Sequence, residues 1–129
     1  MPDGIRLLVT RDEPAPNGAT RPDLFEWNSK TGAVRRVTRG ASIRQADASP
    51  DGRSAVAVRC HAGVCSVVVI DLGAGTWREL VAGDPELVWH RPRYSPDGQR
   101  IAASYQSGGY WGIALIDPAT GVVTRLTTD

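Results

Sequence analysis

The stretch RYSPDGQRIAASY, residues 93–105, places a Ser-Pro-Asp-Gly tetrapeptide between two segments with strand character. The same tetrapeptide occurs 46 residues earlier, and a further copy, in which methionine replaces the serine, begins 48 residues before that one. Serine, proline, aspartate and glycine suit the successive positions of a type I β-turn. We therefore predict structural turns, rather than three ligand sites, at the following residues: Asp3, Gly4, Asp51, Gly52, Asp97 and Gly98.

The tetrapeptide belongs to a longer internal repeat. Each unit continues from the turn into a strand, a variable loop, a nearly all-apolar strand, a turn that contains glycine, and an apolar-polar-polar-apolar strand. Asp51 and Asp71 are 20 residues apart in the sequence, and so are Asp97 and Asp117. A further strand then leads into the next Pro-Asp-Gly. This agreement indicates a repeat of four-stranded antiparallel meanders.

The apolar strands of the repeat indicate small sheets that stack face to face. Residues 67–72 and 113–116 are almost continuously apolar, and an antiparallel strand of this kind needs cover on both faces. Stacked four-stranded sheets are the blades of a β-propeller. A β-sandwich, the alternative, does not account for a repeat of whole four-strand units. We predict an all-β fold with an incomplete blade over residues 1–40, which lacks its innermost strand, and blades over 41–85 and 86–129.

Residues 91–127 add a family resemblance. They contain YSPDG at 94–98, RIA at 100–102, a glycine-rich loop, IALID at 113–117 and RLT at 125–127. This pattern resembles the WD-type repeat of TolB-like β-propellers, and the resemblance covers almost the whole chain. It implies propeller blades and an extracytoplasmic, for example periplasmic, location of a bacterial parent protein. The family includes scaffolds that bind partner proteins and propeller domains attached to peptidases, so the resemblance does not decide the function.

The number of predicted blades is too small for a closed ring, because propellers typically have 4 to 8 blades. We expect either a fragment of a larger propeller or a homo-oligomer, in which two copies supply about six blades. The start of the chain, residues 1–5, has neither the charged nor the apolar region of a signal peptide.

The composition argues against two classes of partner. Fifteen basic and fourteen acidic residues leave a net charge of +1, so no global field attracts nucleic acid. The apolar runs are far shorter than the roughly 20 residues of a spanning helix, so we expect no membrane insertion. One local group of arginines is interpreted either as a solvated strand edge or as a phosphate-binding patch: Arg35, Arg36, Arg39 and Arg44.

Cys60 and Cys65 flank a short loop that contains His61. Opposite each other across a hairpin, the thiols could form a disulfide in an oxidising compartment. Two reduced, buried cysteines are the alternative. Three ligands without Cys-x-x-Cys spacing are too few for a zinc site, and we predict no metal and no cofactor.

We find no catalytic constellation in the sequence. It has no His-Glu-x-x-His, Gly-x-Ser-x-Gly or Walker motif, and we predict that this chain is not an enzyme. His90, beside Arg91 and Arg93, is either part of an anion site or a polar residue at the entry of a strand. Trp27 and Trp77 occupy strand positions and are predicted to pack in the core.

The loops opposite the Pro-Asp-Gly turns differ between units, and variable loops on a rigid scaffold commonly build recognition surfaces. We predict that this face binds a protein or peptide partner. For the two tryptophans among the candidates, a buried core position is the alternative. The favoured function is a non-catalytic interaction scaffold; the alternative is a severed propeller domain of a larger peptidase or hydrolase, which gates or positions substrate. The candidate residues are Asn17, Arg21, His61, Trp89, His90, Tyr110 and Trp111.

Overall fold

The computed structural model describes residues 1–127, which form eleven β-strands and, within that range, no helix. Residues 128 and 129, the end of the third predicted blade, lie outside the described range. The strands are β1 Arg6–Pro14, β2 Thr20–Asn28, β3 Val34–Arg36, β4 Ile43–Ala48, β5 Ser54–His61, β6 Val64–Asp71, β7 Trp77–Val81, β8 Leu87–Tyr94, β9 Ile101–Ser107, β10 Tyr110–Ile116 and β11 Val123–Arg125.

The strands form three antiparallel sheets. Sheet A contains β1 to β3, sheet B contains β4 to β7 and sheet C contains β8 to β11, and in each sheet neighbours in the chain are neighbours in space. Sheet A has no counterpart of β4 or β8 among the described residues. The arrangement confirms the predicted all-β fold of meander blades, with two four-stranded blades and one that lacks its first strand.

The sheets stack face to face with sheet B in the middle. One apolar cluster, which includes Leu24, Ile43 and Ile70, lies between sheets A and B. A second cluster, which includes Val67 and Ile101, lies between sheets B and C. Sheet B is therefore buried on both faces, as its continuous apolar strands predict. Each fully buried valine, leucine or isoleucine contributes about 1.5–3 kcal/mol to stability.

The Ser-Pro-Asp-Gly segments form tight turns between the first two strands of sheets B and C. The Gly52 amide donates to the Ser49 carbonyl at 2.9 Å, and Ser49 Oγ donates to Asp51 Oδ1 at 2.6 Å. The Arg53 amide also donates to Asp51 Oδ1, at 3.0 Å. The hydrogen bond from Ser49 is the main reason that the pKa of Asp51 lies below its ordinary value. The Asp51 carboxylate thus accepts its hydrogen bonds from donors of the turn itself. In the turn of sheet C, the same contacts are made by Ser95, Asp97, Gly98 and Gln99.

Each of these turns also packs on the turn of the preceding sheet. A Cβ atom built on Gly52 would lie 3.6 Å from Pro2 Cδ, and one built on Gly98 would lie 3.4 Å from Pro50 Cδ. The three turns therefore lie at the same end of the stack. The variable loops lie at the other end, because strands of a meander alternate in direction.

Candidate interaction surfaces

Two of the loops opposite the Pro-Asp-Gly turns are tight hairpins. In sheets B and C only two residues separate the paired strands, Ala62 and Gly63 in one and Gly108 and Gly109 in the other. All four have positive φ, between 52° and 85°, as a two-residue type I′ hairpin requires. The loop of sheet A is longer, residues 15–19. Segments 61–64 and 106–111, predicted as variable loops, therefore consist largely of strand ends held in a ladder.

Most of the predicted binding residues do lie at this end of the stack. Asn17, His61, Tyr110 and Trp111 are exposed, and Arg21 is half-buried in β2. Tyr110 and Trp111 are 61% and 58% exposed. They line an open cleft of about 500 Å³ whose other lining residues include Tyr105 and Arg125. The cleft has aromatic walls and one guanidinium, which lies 5.1 Å from the centre of the Tyr105 ring.

Three tryptophans differ from their predicted burial: Trp89 is more buried than predicted, and Trp27 and Trp77 are more exposed. Trp89 was expected among the loop residues, but it lies in β8, is 3% exposed and meets Tyr105 edge to face at 5.7 Å. The correction follows from the period of two in a strand, which points Trp89 toward sheet B. Trp27 and Trp77 were expected in the core, yet they are 38% and 37% exposed. Trp77 is covered on one side by the Arg59 guanidinium at 4.5 Å.

His90 lies on the face of sheet C that points away from sheet B. Its ring meets the Trp111 ring at 5.0 Å between centres. Its Nε2 atom is buried, and no hydrogen-bond partner for it lies in the described part of the chain. Arg91 and Arg93, the other members of the predicted anion site, lie beyond it on β8 and contact β4 instead. The Arg93 guanidinium already holds the carbonyls of Gln45 and Pro92 as acceptors, which favours the interpretation of His90 as a polar strand residue over an anion site.

Cys60 and Cys65 face each other across the β5–β6 hairpin, as a directly paired couple in the strand register. Their sulfur atoms are 2.08 Å apart and form a disulfide. The disulfide joins β5 and β6 one residue pair away from the Ala62-Gly63 turn, since His61 and Val64 form the last pair of the ladder. The structure thus uses the two cysteines to staple a hairpin.

Two of the four arginines at residues 35–44 already bind acceptors of the chain itself. Arg35 Nη2 donates to Glu26 Oε2 at 3.1 Å and to the Leu72 carbonyl at 2.8 Å, so it bridges sheets A and B. Arg36 Nη2 donates to Asp23 Oδ2 at 2.8 Å. Because these two guanidinium groups already hold protein acceptors, the strand-edge interpretation fits better than the phosphate patch.

Asp23 is a buried carboxylate that sequence analysis missed. It is 0% exposed and accepts hydrogen bonds of 2.8–2.9 Å from Arg36 Nη2, Thr38 Oγ1 and the amides of Gly40 and Ala41. Burial raises the pKa of Asp23, but the hydrogen bonds, first those from Ala41 and Gly40, outweigh burial and hold the pKa below its ordinary value. The residue ties β2 to the crossing toward sheet B. The sequence signal was weak, because it consisted of one aspartate beside the apolar pair Leu24 and Phe25 in a strand that also has other polar residues.

Sheet C presents an apolar face that nothing in residues 1–127 covers. Ile113 is 49% exposed, whereas Val67, 46 positions earlier in sheet B, is 0% exposed. Trp111 lies on this face because it is two residues from Ile113 along β10. Sheet B buries the corresponding face under sheet C, so the difference comes from position in the stack and not from residue type.

Sheet A presents a second uncovered face at the opposite end of the stack. Leu7 and Val9 are 42% and 41% exposed, whereas Ala55 and Ala57, 48 positions later in sheet B, are both 0% exposed. Trp27 pairs with Leu7 in the register of β1 and β2 and lies on the same face. The predicted core position of Trp27 is wrong because this face is the end of the stack. Sequence reasoning predicted open ends but did not identify these residues.

Two negative findings apply to the described residues. No group of three or more histidine, cysteine, aspartate or glutamate side chains there is placed to hold a metal ion. The same range has no helix with the length and apolar character needed to cross a membrane.

Comparison with known proteins supports the fold. No family model matches the sequence, and no curated protein matches it significantly. Among solved structures, a putative TolB from Agrobacterium tumefaciens matches with a TM-score of 0.80 and 25% identity over 99% of this chain and 44% of that chain. The β-propeller domain of the Trilobed protease from Pyrococcus furiosus matches with a TM-score of 0.68 and 13% identity over 93% of this chain and 38% of that one. Puromycin hydrolase matches with a TM-score of 0.77 and 22% identity over 100% and 22%.

These likenesses confirm the predicted propeller blades. The chain spans less than half the length of each of the three structures. Identities this low establish the fold, whereas the activities and partners of those proteins do not follow for this chain.

Proposed function

Because this chain consists of TolB-like β-propeller blades, we propose that it is a non-catalytic interaction scaffold that self-associates. In the proposed dimer the open face of sheet C in one copy covers the open face of sheet A in the other. The observation that carries the proposal is the contrast between equivalent positions: Val67 is 0% exposed in the middle sheet, and Ile113 is 49% exposed in the last one.

The number of sheets supports an assembly of two copies. Three sheets are too few for a ring, and two copies supply six, within the usual range of 4 to 8. The head-to-tail arrangement repeats the contact between sheets B and C. In that contact, the face of sheet B is equivalent to the open face of sheet C. The face of sheet C that it covers is equivalent to the open face of sheet A. Covering both ends removes large apolar side chains from water, including Leu7, Trp27 and Ile113.

Molar mass in solution tests self-association. Light scattering after size exclusion should give about twice the 13.8 kDa of one chain. Ile113→Glu should give a folded monomer, since a charge on the covered face has no partner. Val122→Glu, at a turn residue that is 63% exposed, is the matched control and should remain dimeric. A stable, folded monomer of the unaltered chain would overturn the proposal.

Partner recognition is proposed for the hairpin end of the stack. Asn17, His61 and Tyr110 are exposed there on three successive sheets, and hairpins anchored in a ladder hold side chains in fixed positions. A photo-crosslinking amino acid at position 110 should capture a protein or peptide partner. The same amino acid at Pro96, in the turn at the other end, should not. Equal capture at both positions would contradict the assignment of the hairpin end.

One observation favours a second function. The whole chain matches 22% of puromycin hydrolase with a TM-score of 0.77, so these blades could instead belong to a propeller that positions or gates substrate beside a hydrolase domain. Immunoblotting of source cells separates the two. A band near 13.8 kDa supports the scaffold, and a much larger band that reacts with a fluorophosphonate probe supports the hydrolase.

A further inference from the structure

One edge of β1 has no strand paired to it within residues 1–127. In sheets B and C the corresponding edges of β5 and β9 are occupied by β4 and β8, whereas β1 pairs only with β2. The far half of β1 has charged residues and ends at Pro14, features that discourage strand pairing. The near half, residues 7–10, is Leu-Leu-Val-Thr and has no such protection. This half corresponds to the part of β5 that pairs with β4.

The contacts between β4 and β8 show which hydrogen-bond acceptors the first strand of one sheet offers to the first strand of the next sheet. Gln45 Oε1 accepts from the Arg91 amide at 2.8 Å, and Asp47 Oδ2 accepts from the Tyr94 amide at 2.8 Å. Both acceptors are side chains of the earlier sheet, and both donors are backbone amides of the later sheet. In this pair of sheets, β4 therefore supplies two side-chain acceptors to backbone amides of β8.

A shared bulge creates this requirement. The ladders of β4 with β5 and of β8 with β9 shift at the same place, and the equivalent residues Gln45 and Arg91 have positive φ of 56° and 49°. The bulge directs the Arg91 amide out of its own ladder and toward β4. The amides of Gln45 and Ala48 stand at the same positions in β4, and within the described residues no side chain accepts from them.

We propose that the edge of β1 and the neighbouring edge of β4 bind an extended peptide of a partner protein that has the acceptor pattern of β4. That pattern is an apolar residue, any residue, glutamine, a small residue, aspartate and a small residue. The peptide adds a fourth strand to sheet A, with main-chain hydrogen bonds for affinity and the two acceptors for specificity. Its aspartate lies opposite Leu8, as Asp47 lies opposite Val56, and accepts from the Ala48 amide.

This site is separate from the surfaces proposed for self-association. It consists of a strand edge and two backbone amides, whereas the dimer would use the faces of sheets A and C. A chain that proves monomeric would still present the edge of β1, so the two proposals can fail independently.

The first test uses a synthetic peptide as the probe. Fluorescein-labelled ASIRQADAS, the sequence of residues 41–49, is titrated with the protein and followed by fluorescence anisotropy. The control peptide has alanine in place of the glutamine and the aspartate. We expect saturable binding with one peptide per chain, and binding of the control at least about tenfold weaker, because the half-buried residues Gln45 and Ala48 lose the acceptors for their amides. Equal affinities, or no saturable binding up to millimolar protein, would overturn the proposal.

The second test locates the bound peptide by amide hydrogen exchange. The edge strand β11, which pairs only with β10, serves as an internal control for pairing with any available edge. Slower exchange in fragments that cover β1 and β4, with β11 unchanged, is the expected result. Protection of β11, or conversion of a dimer to monomers by the peptide, would contradict the assignment, since the latter result means that a second copy occupies the edge.

Discussion

At the scale of single residues, Asp23 holds together the crossing between sheets A and B. A buried carboxylate is costly unless every lone pair finds a donor, and this one has four donors within 2.9 Å. Asp23→Ala leaves these donors without an acceptor. We expect a loss of about 3 kcal/mol in the free energy of unfolding, measured by urea denaturation. Asp12→Ala, at an exposed position of β1, is the control and should change it by less than about 0.5 kcal/mol.

The same residue should give a pH dependence of known sign. The pKa of Asp23 is lower in the folded chain than its ordinary value of 3.8, so the unfolded chain takes up the proton first as the pH falls. The stabilisation is complete above 3.8 and is lost as the pH falls through the folded pKa. The stability difference between the native sequence and Asp23→Asn should therefore shrink below pH 3.8. Asp3, Asp51 and Asp97 titrate equally in both proteins and cancel; a difference that grows on acidification would contradict this account.

At the scale of the turn, one glycine position reports the contact between sheets. Gly32, Gly75 and Gly121 occupy the same turn in sheets A, B and C, with φ of 74°, 76° and 77°. A Cβ atom on Gly75 would collide with the carbonyl oxygen of Val37 in the preceding sheet, and one on Gly121 with that of Leu80, but one on Gly32 would meet nothing within 4 Å.

Alanine at these three positions therefore separates backbone strain from stacking. Gly32→Ala should cost about 1 kcal/mol, because its only penalty is the left-handed conformation. Gly75→Ala and Gly121→Ala should each cost about 2 kcal/mol more, since the backbone of Val37 or Leu80 must shift to admit the added carbon. Thermal unfolding measures all three. Equal losses would mean that the turns do not pack on the preceding sheet.

At the scale of the hairpin, the Cys60–Cys65 bridge closes a loop with a sequence separation of 5. Loop-closure entropy for so short a loop gives about 2 kcal/mol of stabilisation. Reduction should therefore lower the midpoint of thermal unfolding, and the double variant Cys60→Ser/Cys65→Ser should unfold at the same temperature with or without reductant. Intact mass should rise by about two hydrogens on reduction; an unchanged mass would mean that the thiols are free.

The sequence predicts those elements whose chemistry is local. Ser-Pro-Asp-Gly specifies its own turn through Ser49 and Asp51, and the repeat specifies meander blades. Burial was harder to predict, because it depends on which sheet lies beyond a given face. Trp89 and Trp27 both occupy strands, yet one faces sheet B and the other faces the end of the stack. The acceptors Gln45 and Asp47 were missed for the same reason, since their donors lie about 46 residues away in sequence.

At the scale of the whole molecule, the stack has two ends of complementary kind. Sheet B packs one face on sheet A and the other on sheet C, so the uncovered faces of A and C are the two halves of an interface that the chain already makes twice. Such a contact is heterologous, and in a pair of chains it closes only if both junctions form at once. Alternatively, sheet C could pack on sheet C of a second copy about a two-fold axis, which would leave sheet A uncovered.

Mixing two variants distinguishes these arrangements. Trp27→Glu damages the face of sheet A, and Ile113→Glu damages that of sheet C. In the head-to-tail dimer each variant alone spoils both junctions and should be monomeric. An equimolar mixture keeps one intact junction, between sheet C of the first variant and sheet A of the second, and native mass spectrometry should detect a heterodimer. If sheet C packs on itself, Trp27→Glu stays dimeric alone and the mixture forms no heterodimer, because every contact across the axis then includes a charged position 113.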